Sequence, residues 1–170
     1  MHLQYDDLTI RPALPSDAPR LVRWWNDGAV MAHAGFPLGL ATTVEKEAAR
    51  LPAPGRLMLE YKNQPIGEMS WRDVGENTAE IGIKICESTF QEQGLGRIYL
   101  SLLIKELFAR GFARIVLDTN LNNTRAQHVY EKLGFRKVAV RENSWHDQLG
   151  NPQSAVDYAL KPEDFMDYAV

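Results

Sequence analysis

Residues 91–96 read QEQGLG and place two glycines one residue apart, directly before a helical pattern. Glycine costs roughly 1 kcal/mol in a helix relative to alanine, so this spacing needs a physical reason. The first backbone N–H groups of a helix have no partners within the helix, and they attract anions. A phosphate can approach these groups closely past Gly94 and Gly96, and Arg97 adds a positive charge in the same turn. The spacing alone leaves two interpretations open, a phosphate site and a flexible surface turn. The segment is neither a P-loop, which needs G-K-[ST], nor the G-x-G-x-x-G of dinucleotide-binding proteins.

Residues 123–135, NTRAQHVYEKLGF, form the second stretch that can carry chemistry. Their apolar period predicts an amphipathic helix that ends at Gly134. Tyr130 lies on the apolar stripe, where a tyrosine is usually part of the core, although its phenol can also donate a proton. Asn123 is placed to be the N-cap of this helix. The single cysteine, Cys86, is interpreted as a small apolar filler at a strand end rather than as a nucleophile.

Together these two segments resemble the GNAT superfamily of acyl-CoA-dependent N-acyltransferases. QEQGLG matches the Q/R-x-x-G-x-G/A signature of that superfamily, and residues 79–140 are similar to its central region in the order and spacing of motifs. The resemblance implies that the chain binds acetyl-CoA and holds its pyrophosphate with backbone amides of the glycine loop. The implied loop residues are Gln91, Gln93, Gly94, Leu95, Gly96 and Arg97.

The resemblance also implies a path for the pantetheine arm of the cofactor. The arm pairs like an extra strand with the main chain of Ile83, Lys84 and Ile85. For this to happen, the strand that contains these residues and the strand at 113–120 must splay apart and leave main-chain groups unpaired. Gly82 is interpreted either as a bulge in the first of these strands or as a relief of tight packing.

Acetyl transfer to an amine needs a neutral amine, a stabilised oxyanion and a proton for the departing thiolate. The resemblance assigns Tyr130, in the family's Y-E-K-x-G-F stretch, to the cofactor sulfur as proton donor or hydrogen-bond partner. It assigns Asn123 a hydrogen bond to the cofactor arm or to a nearby backbone group. Glu80 is the candidate base that accepts the proton of the amine, and Asp118 and Asp73 are its rivals.

The acceptor amine is expected near the segment LVRWWNDGAVMAHAGFPLG, where aromatic rings and a carboxylate together suit a cationic amine. One of the adjacent tryptophans, Trp24 and Trp25, is expected in the core and the other near the cleft. The candidate substrate-binding residues are Trp25, Asp27, His33, Trp71 and Asp73, with Trp145 a further candidate for the rim. This cluster and the acidic balance favour a small cationic amine, such as an aminoglycoside or a polyamine. The alternatives are a protein N-terminus, including that of a ribosomal protein, and a regulatory module that binds coenzyme A without catalysis.

The bulk composition of the 170 residues sets limits on the function. The net charge of −3 leaves no basic footprint, which argues against a nucleic-acid partner. No apolar run approaches the roughly 20 residues needed to span a bilayer, and the N-terminus does not read as a secretory signal, so a cytoplasmic location is expected. No metal site is predicted, and the oligomeric state stays open, with a homodimer among the options.

The elements that must position these residues follow from the hydrophobic period. Residues 1–170 are predicted to form one α/β domain, a mixed sheet flanked by helices, with the order strand, two helices, three strands, helix, strand, helix, two strands. The three consecutive strands are predicted to form an antiparallel meander. Residues 79–118 are predicted to form a parallel strand–helix–strand crossover, with its helix ended by Gly111. The last two strands are predicted to flank the polar loop WHDQLGNPQ. The first helix is expected to run from an N-cap at Ser16 to Trp25, and the second from a capping box at Thr42 to Leu51.

Overall fold

Eight strands form one mixed β-sheet in the computed structural model, which describes residues 1–170. In chain order they are β1 (Leu3–Tyr5), β2 (Leu8–Pro12), β3 (Arg56–Tyr61), β4 (Gln64–Gly75), β5 (Thr78–Ile85), β6 (Arg114–Asn120), β7 (Arg136–His146) and β8 (Pro152–Leu160). Across the sheet the order is β1-β2-β3-β4-β5-β6-β8-β7. All neighbouring strands pair antiparallel except β5 and β6, which are parallel. The predicted mixed sheet, with its antiparallel meander and its parallel crossover, is therefore confirmed.

Five α-helices connect the strands. They are α1 (Ala18–Trp25), α2 (Gly28–Met31), α3 (Val44–Ala48), α4 (Leu95–Ala109) and α5 (Thr124–Lys132). As predicted, Gly111 and Gly134 follow the C-termini of α4 and α5 with positive φ. No helix in the molecule combines the length and the apolar character that crossing a membrane would require.

Helices cover both faces of the sheet. On one face α4 buries Leu103 in the main core, which also contains Leu57 and Leu59 of β3. Met58 lies between these two leucines and packs instead with Leu21 of α1 in a second, smaller cluster. Because successive side chains of a strand point to opposite faces, the two clusters lie on opposite sides of the sheet. The smaller cluster consists of Ala13, Leu21, Trp24, Met58 and Cys86.

The two parallel strands separate after a short contact. β5 and β6 pair only from Thr78 with Arg114 to Glu80 with Val116. Beyond this point β5 continues to Ile85 bonded to β4, and β6 continues bonded to β8. The predicted splay is confirmed, and it leaves one edge of each strand without a strand partner.

The N-terminal helices differ from the prediction at their caps. Ser16 is not an N-cap, because it lies within a 3₁₀ turn, Pro15–Asp17, that precedes α1. The Asp17 carboxylate fixes this turn by accepting a hydrogen bond from the Leu14 N–H at 2.8 Å. The N-cap of α3 is Thr43. The predicted cap, Thr42, instead donates its hydroxyl hydrogen to Glu47 at 2.6 Å.

Four elements were absent from the prediction or longer than expected. β1 pairs with β2 through a tight turn, and α2 follows α1 after two residues, Asn26 and the N-cap Asp27. The last two strands extend past the expected loop, so that only residues 147–151 connect β7 to β8. β7 forms the outer edge of the sheet and is exposed almost throughout.

Candidate active site

The gap between β5 and β6 opens into a cleft of about 1580 Å³. Ordinary small-molecule sites occupy roughly 300–1,000 Å³, so this cleft has room for a long ligand. All the residues that the sequence predicted for the cofactor line the cleft. They are Ile83, Lys84, Ile85, Gln91, Gln93, Gly94, Leu95, Gly96, Arg97, Asn123 and Tyr130.

The start of α4 forms one end of the cleft. Gly94 precedes the helix with φ of +76°, a conformation that favours glycine. A methyl group added at Gly96 would meet no atom within 4 Å, so the space above this residue is open. The open space beside the unpaired N–H groups of the first helical turn suits a phosphate, and the Arg97 guanidinium lies 3.2 Å from where a methyl group at Gly94 would be.

Polar side chains fix the loop before this helix. Gln91 donates from Nε2 to the carbonyl oxygen of Ile85 at 2.8 Å and accepts from Arg125 at 3.3 Å. This pair of bonds ties the loop to β5 and to α5. The Arg97 guanidinium stacks over the ring of Tyr168 at 4.9 Å and forms no ion pair, so its charge is available to an anion in the cleft.

The exposed edge of β5 presents main-chain groups of alternate residues. The Cys86 N–H donates to Ile66 of β4, and the carbonyl oxygen of Lys84 would lie only 2.3 Å from a methyl group at Gly67 of β4. Residues at even positions therefore direct their main chain toward β4, and Ile83 and Ile85 direct theirs toward the gap. The prediction that Lys84 offers its backbone to a ligand disagrees with this register, because its main chain faces the neighbouring strand.

Gly82 does not interrupt the pairing of β4 and β5. It lies opposite Ser70 in an unbroken register, so the bulge interpretation is wrong for this pair of strands. A methyl group added at Gly82 would lie 3.1 Å from the Ser70 hydroxyl oxygen, which agrees with the alternative of tight packing. Gly82 also lines the cleft.

Tyr130 belongs both to the core and to the cleft. Its side chain is 6% exposed and packs edge-on against Phe135 and Tyr158, with ring centroids 5.9 Å apart in each pair. The hydroxyl has no hydrogen-bond partner in the protein. Every fully buried polar side-chain atom in the molecule has a partner, so this hydroxyl must be accessible, and it faces the cleft. Burial, followed by the charge of Asp118, raises the pKa of Tyr130 above its ordinary value. The group is therefore a neutral phenol at physiological pH, able to donate a hydrogen bond.

A carboxylate lies close to this phenol. Asp118, near the end of β6, lines the cleft, and its Oδ2 accepts a hydrogen bond from Arg141 at 2.9 Å. Arg141 is held in turn by two hydrogen bonds to Asp157, at 2.9 and 3.0 Å. The second carboxylate oxygen of Asp118 has no partner in the protein, so it is free to accept a proton or a hydrogen bond.

Glu80 occupies a different environment. It is not among the residues that line the cleft, and its Oε1 contacts the guanidinium of Arg72 at 2.8 and 2.7 Å. The other rival, Asp73, accepts a hydrogen bond from the Gly75 N–H at the irregular end of β4. Of the three candidate bases, only Asp118 lies in the cleft.

Most of the predicted substrate-binding residues lie elsewhere. Trp25 donates its indole N–H to Glu68 at 2.9 Å, and Asp27 caps α2 by accepting from the Ala29 N–H. Trp71 packs edge-on against Phe112, on the α4 side of the sheet. These three residues, together with Asp73, do not line the cleft, so the predicted aromatic and acidic acceptor site is not formed.

His33 is the predicted substrate-binding residue that does line the cleft, and Trp145 also lines it. Trp145 packs on Gly35, where an added methyl group would lie 2.4 Å from the ring. The Gln148 N–H donates to the Gly35 carbonyl oxygen at 2.8 Å. These contacts join the β7–β8 turn to the segment after α2, so the two form one wall.

Asn123 is the N-cap of α5, because its Oδ1 accepts from the Ala126 N–H at 3.2 Å. This confirms the structural interpretation of the residue, and contact with a cofactor stays a prediction. Cys86 is buried in the smaller cluster, and burial raises the pKa of its thiol. The structure agrees with its interpretation as a filler.

Two residues of the site were not predicted from the sequence. Arg141 lies in a strand with no motif, and its contacts with Asp118 and Asp157, on two other strands, could not be read from its neighbours in the chain. Asn120 is 6% exposed at the end of β6 and donates to Gln153 of β8 at 2.9 Å. The only sequence signal for Asn120 was its position at the end of a buried strand, where polar residues often serve a site.

Comparisons with known proteins identify this arrangement. A sequence model of the acetyltransferase (GNAT) family matches residues 4–135. A [ribosomal protein bS18]-alanine N-acetyltransferase of Haemophilus ducreyi is 35% identical over 74 residues, which are 44% of this chain and 51% of that protein. This chain thus spans about half the length of the curated relatives it matches.

Solved structures share the fold over almost the whole chain. The crystal structure of an acetyltransferase of the GNAT family from Bacillus anthracis has a TM-score of 0.83 at 19% identity, covering 96% of this chain and 99% of that one. RimL, a ribosomal L7/L12 alpha-N-protein acetyltransferase in complex with coenzyme A, has a TM-score of 0.81 at 18% identity, covering 95% and 98%. At these identities the likeness establishes the fold.

Proposed function

Because this chain belongs to the acetyltransferase (GNAT) family, we propose that it transfers the acetyl group of acetyl-CoA to the N-terminal amine of a protein. The observation that carries the proposal is a single cleft. In it the free edge of β5, the open start of α4 and the unpartnered hydroxyl of Tyr130 converge. The residues present fit the cofactor, since the exposed main chain suits the pantetheine amides and the helix start suits the pyrophosphate.

The charge of the cleft argues against the small cationic amine that the sequence favoured. Two carboxylates line the cleft, Glu92 and Asp118. The same lining carries five cations, Lys84, Arg97, Arg125, Lys132 and Arg141. A polyamine or aminoglycoside carries several positive charges and would meet an excess of like charge here.

The relatives support a protein acceptor instead. The matched curated proteins are named for the N-acetylation of an alanine of ribosomal protein bS18, and RimL is named as an alpha-N-protein acetyltransferase of ribosomal L7/L12. The N-terminal amine of a peptide carries one charge, so it does not need an acid-lined site. These names support a protein N-terminus as the acceptor over a small cationic amine.

The residues of the cleft divide the chemistry between them. Acetyl-CoA supplies the acetyl group as a thioester. The main chain of Ile83 and Ile85 and the N–H groups from Gly94 onward hold the cofactor. Asp118 accepts the proton of the incoming amine, directly or through water, and Arg141 keeps its carboxylate in place. As the amine forms its bond to the acetyl carbon in a ternary complex, the phenol of Tyr130 would donate a hydrogen bond and then a proton to the departing thiolate.

A panel of acceptors tests the proposal. We expect peptides with a free N-terminus to accelerate the release of free coenzyme A thiol, with mass spectrometry locating the acetyl group on the α-amine. The same peptides with a blocked N-terminus are the matched control and should be inactive. Faster turnover of polyamines or aminoglycosides than of any peptide would show that the acceptor is a small cationic amine.

Replacement of Gly96 by glutamate tests the phosphate site. The new side chain would start in open space, and an acid in the first turn of a helix is favourable, so the melting temperature should stay the same or rise. The carboxylate would nevertheless occupy the space in front of the N–H groups and repel the negative charge of a phosphate. We expect the Kd for coenzyme A, measured by calorimetry, to rise by about 10-fold or more. Unchanged affinity would show that the cofactor phosphates bind elsewhere.

A further inference from the structure

A second, smaller pocket adjoins the cleft on the α1–α2 face of the sheet. It has a volume of about 200 Å³ and shares Gly82, Ile83 and Lys84 with the cleft. We call it the side pocket. Its charged and polar lining consists of Arg56, Glu68, Ser70 and Lys84.

The negative charge of the side pocket is already compensated. Glu68 is only 7% exposed, and its Oε2 accepts the indole N–H of Trp25 at 2.9 Å. The same oxygen lies 3.5 Å from Arg56 Nη1. A carboxylate this deeply buried needs such a counter-ion, so Arg56 and Glu68 balance one another.

Lys84 carries a positive charge without a counter-ion. It stands directly opposite Glu68 in the register of β4 and β5, so both side chains point to the same face. None of the ion pairs in the molecule includes Lys84, and its Nζ contacts only the Met31 sulfur, at 3.1 Å. A thioether is a weak hydrogen-bond acceptor, so this contact leaves the ammonium largely unsatisfied. The other cation on this side of the cleft, Arg141, is held by two carboxylates.

We propose that Lys84 and the side pocket form an anion subsite that selects acceptor proteins with a carboxylate in one of their first two residues. This inference rests on the proposed transfer to a protein N-terminus. The contact of β5 with β6 ends at Glu80, so Gly82 is the first residue on this face in the open part of the gap. Lys84 follows two residues later, about 7 Å further along the strand. An extended peptide spans about this distance with two residues, so its amine can lie beside Gly82 and Asp118 while a side-chain carboxylate reaches Lys84.

Three peptides that differ only at the second residue test the subsite, with N-termini Ala-Asp, Ala-Asn and Ala-Lys. We expect the wild-type protein to use the Asp peptide with a kcat/KM about 10- to 100-fold above that of the Asn peptide, the range for a hydrogen bond between charged groups. In Lys84→Gln this difference should disappear. In Lys84→Glu the preference should reverse toward the Lys peptide, and in Lys84→Arg the preference for Asp should return.

Two controls separate this subsite from other causes. Lys161→Gln removes the same charge from an exposed position outside the cleft and should leave the preference unchanged. The main chain of Lys84 faces β4, so Lys84→Gln should keep the affinity for coenzyme A, which also reports that the variant is folded. Equal use of the Asp and Asn peptides by the wild type, or a preference that survives Lys84→Gln, would overturn the inference while the proposed function stands. A wild type that binds coenzyme A but acetylates no free N-terminus would overturn both.

Discussion

Replacing Tyr130 with phenylalanine is expected to lower kcat by about 10²- to 10⁴-fold, the usual span for a lost general acid. The substitution removes only the hydroxyl, which has no partner in the protein, and it leaves the ring against Phe135 and Tyr158. Folding stability and the affinity for coenzyme A should therefore change little. Release of coenzyme A thiol gives kcat, while calorimetry and thermal unfolding check binding and folding.

Tyr158→Phe is the matched control for this experiment. Tyr158 is fully buried in the same aromatic group, but its hydroxyl donates to Glu131 at 3.3 Å and it does not line the cleft. Removal of this hydroxyl should lower the free energy of unfolding slightly and leave kcat unchanged. If Tyr130→Phe also keeps its kcat, Tyr130 is a core residue with no part in the reaction.

The pH dependence of the reaction gives a further check on Tyr130. An ordinary tyrosine loses its proton near pH 10, and burial raises the pKa of Tyr130 above that value. A raised pKa keeps the phenol protonated, so the donor is lost only when the pH rises past the raised value. We expect kcat to hold up to about pH 10. A fall of kcat well below that pH that is absent in Tyr130→Phe would contradict this assignment.

Replacing Asp118 with asparagine is the second change with a large expected effect. Asparagine has nearly the same shape and can still accept the hydrogen bond from Arg141, but its amide cannot take the proton of an amine. We expect kcat/KM with a peptide acceptor to fall by about 10²- to 10⁴-fold, while calorimetry shows unchanged binding of coenzyme A.

Glu80→Gln is the control that distinguishes the two candidate bases. Glu80 does not line the cleft, and its carboxylate is hydrogen-bonded to Arg72. Its replacement should therefore lower kcat/KM much less than Asp118→Asn does. A larger loss from Glu80→Gln than from Asp118→Asn would reverse the assignment. Glu80, the base that the resemblance implied, would then be the residue that accepts the proton of the amine.

Features that depend on the local order of residues could be predicted before the fold was known. The open start of α4 could be predicted from the two glycines of QEQGLG and the helical period after them. The positive φ of Gly94 and the absence of a side chain at Gly96 are properties of the glycines themselves. The alternation of apolar residues specified the meander and the parallel crossover, and the motif order implied the splay of β5 from β6. All the residues predicted for the cofactor accordingly lie in one cleft.

Long-range packing determines which side chains share the acceptor side of that cleft. Trp25 and Asp27 were expected there, but the indole of Trp25 donates to Glu68, and the carboxylate of Asp27 caps the next helix. The register of β4 and β5 is set by pairing along their whole length. It directs the side chain of Lys84 to the cleft and its main chain to β4. Arg141 and Asp118 are 23 residues apart in the chain and meet through the order β6-β8-β7. Such long-range contacts depend on how whole elements pack against one another, and no local pattern of residues encodes them.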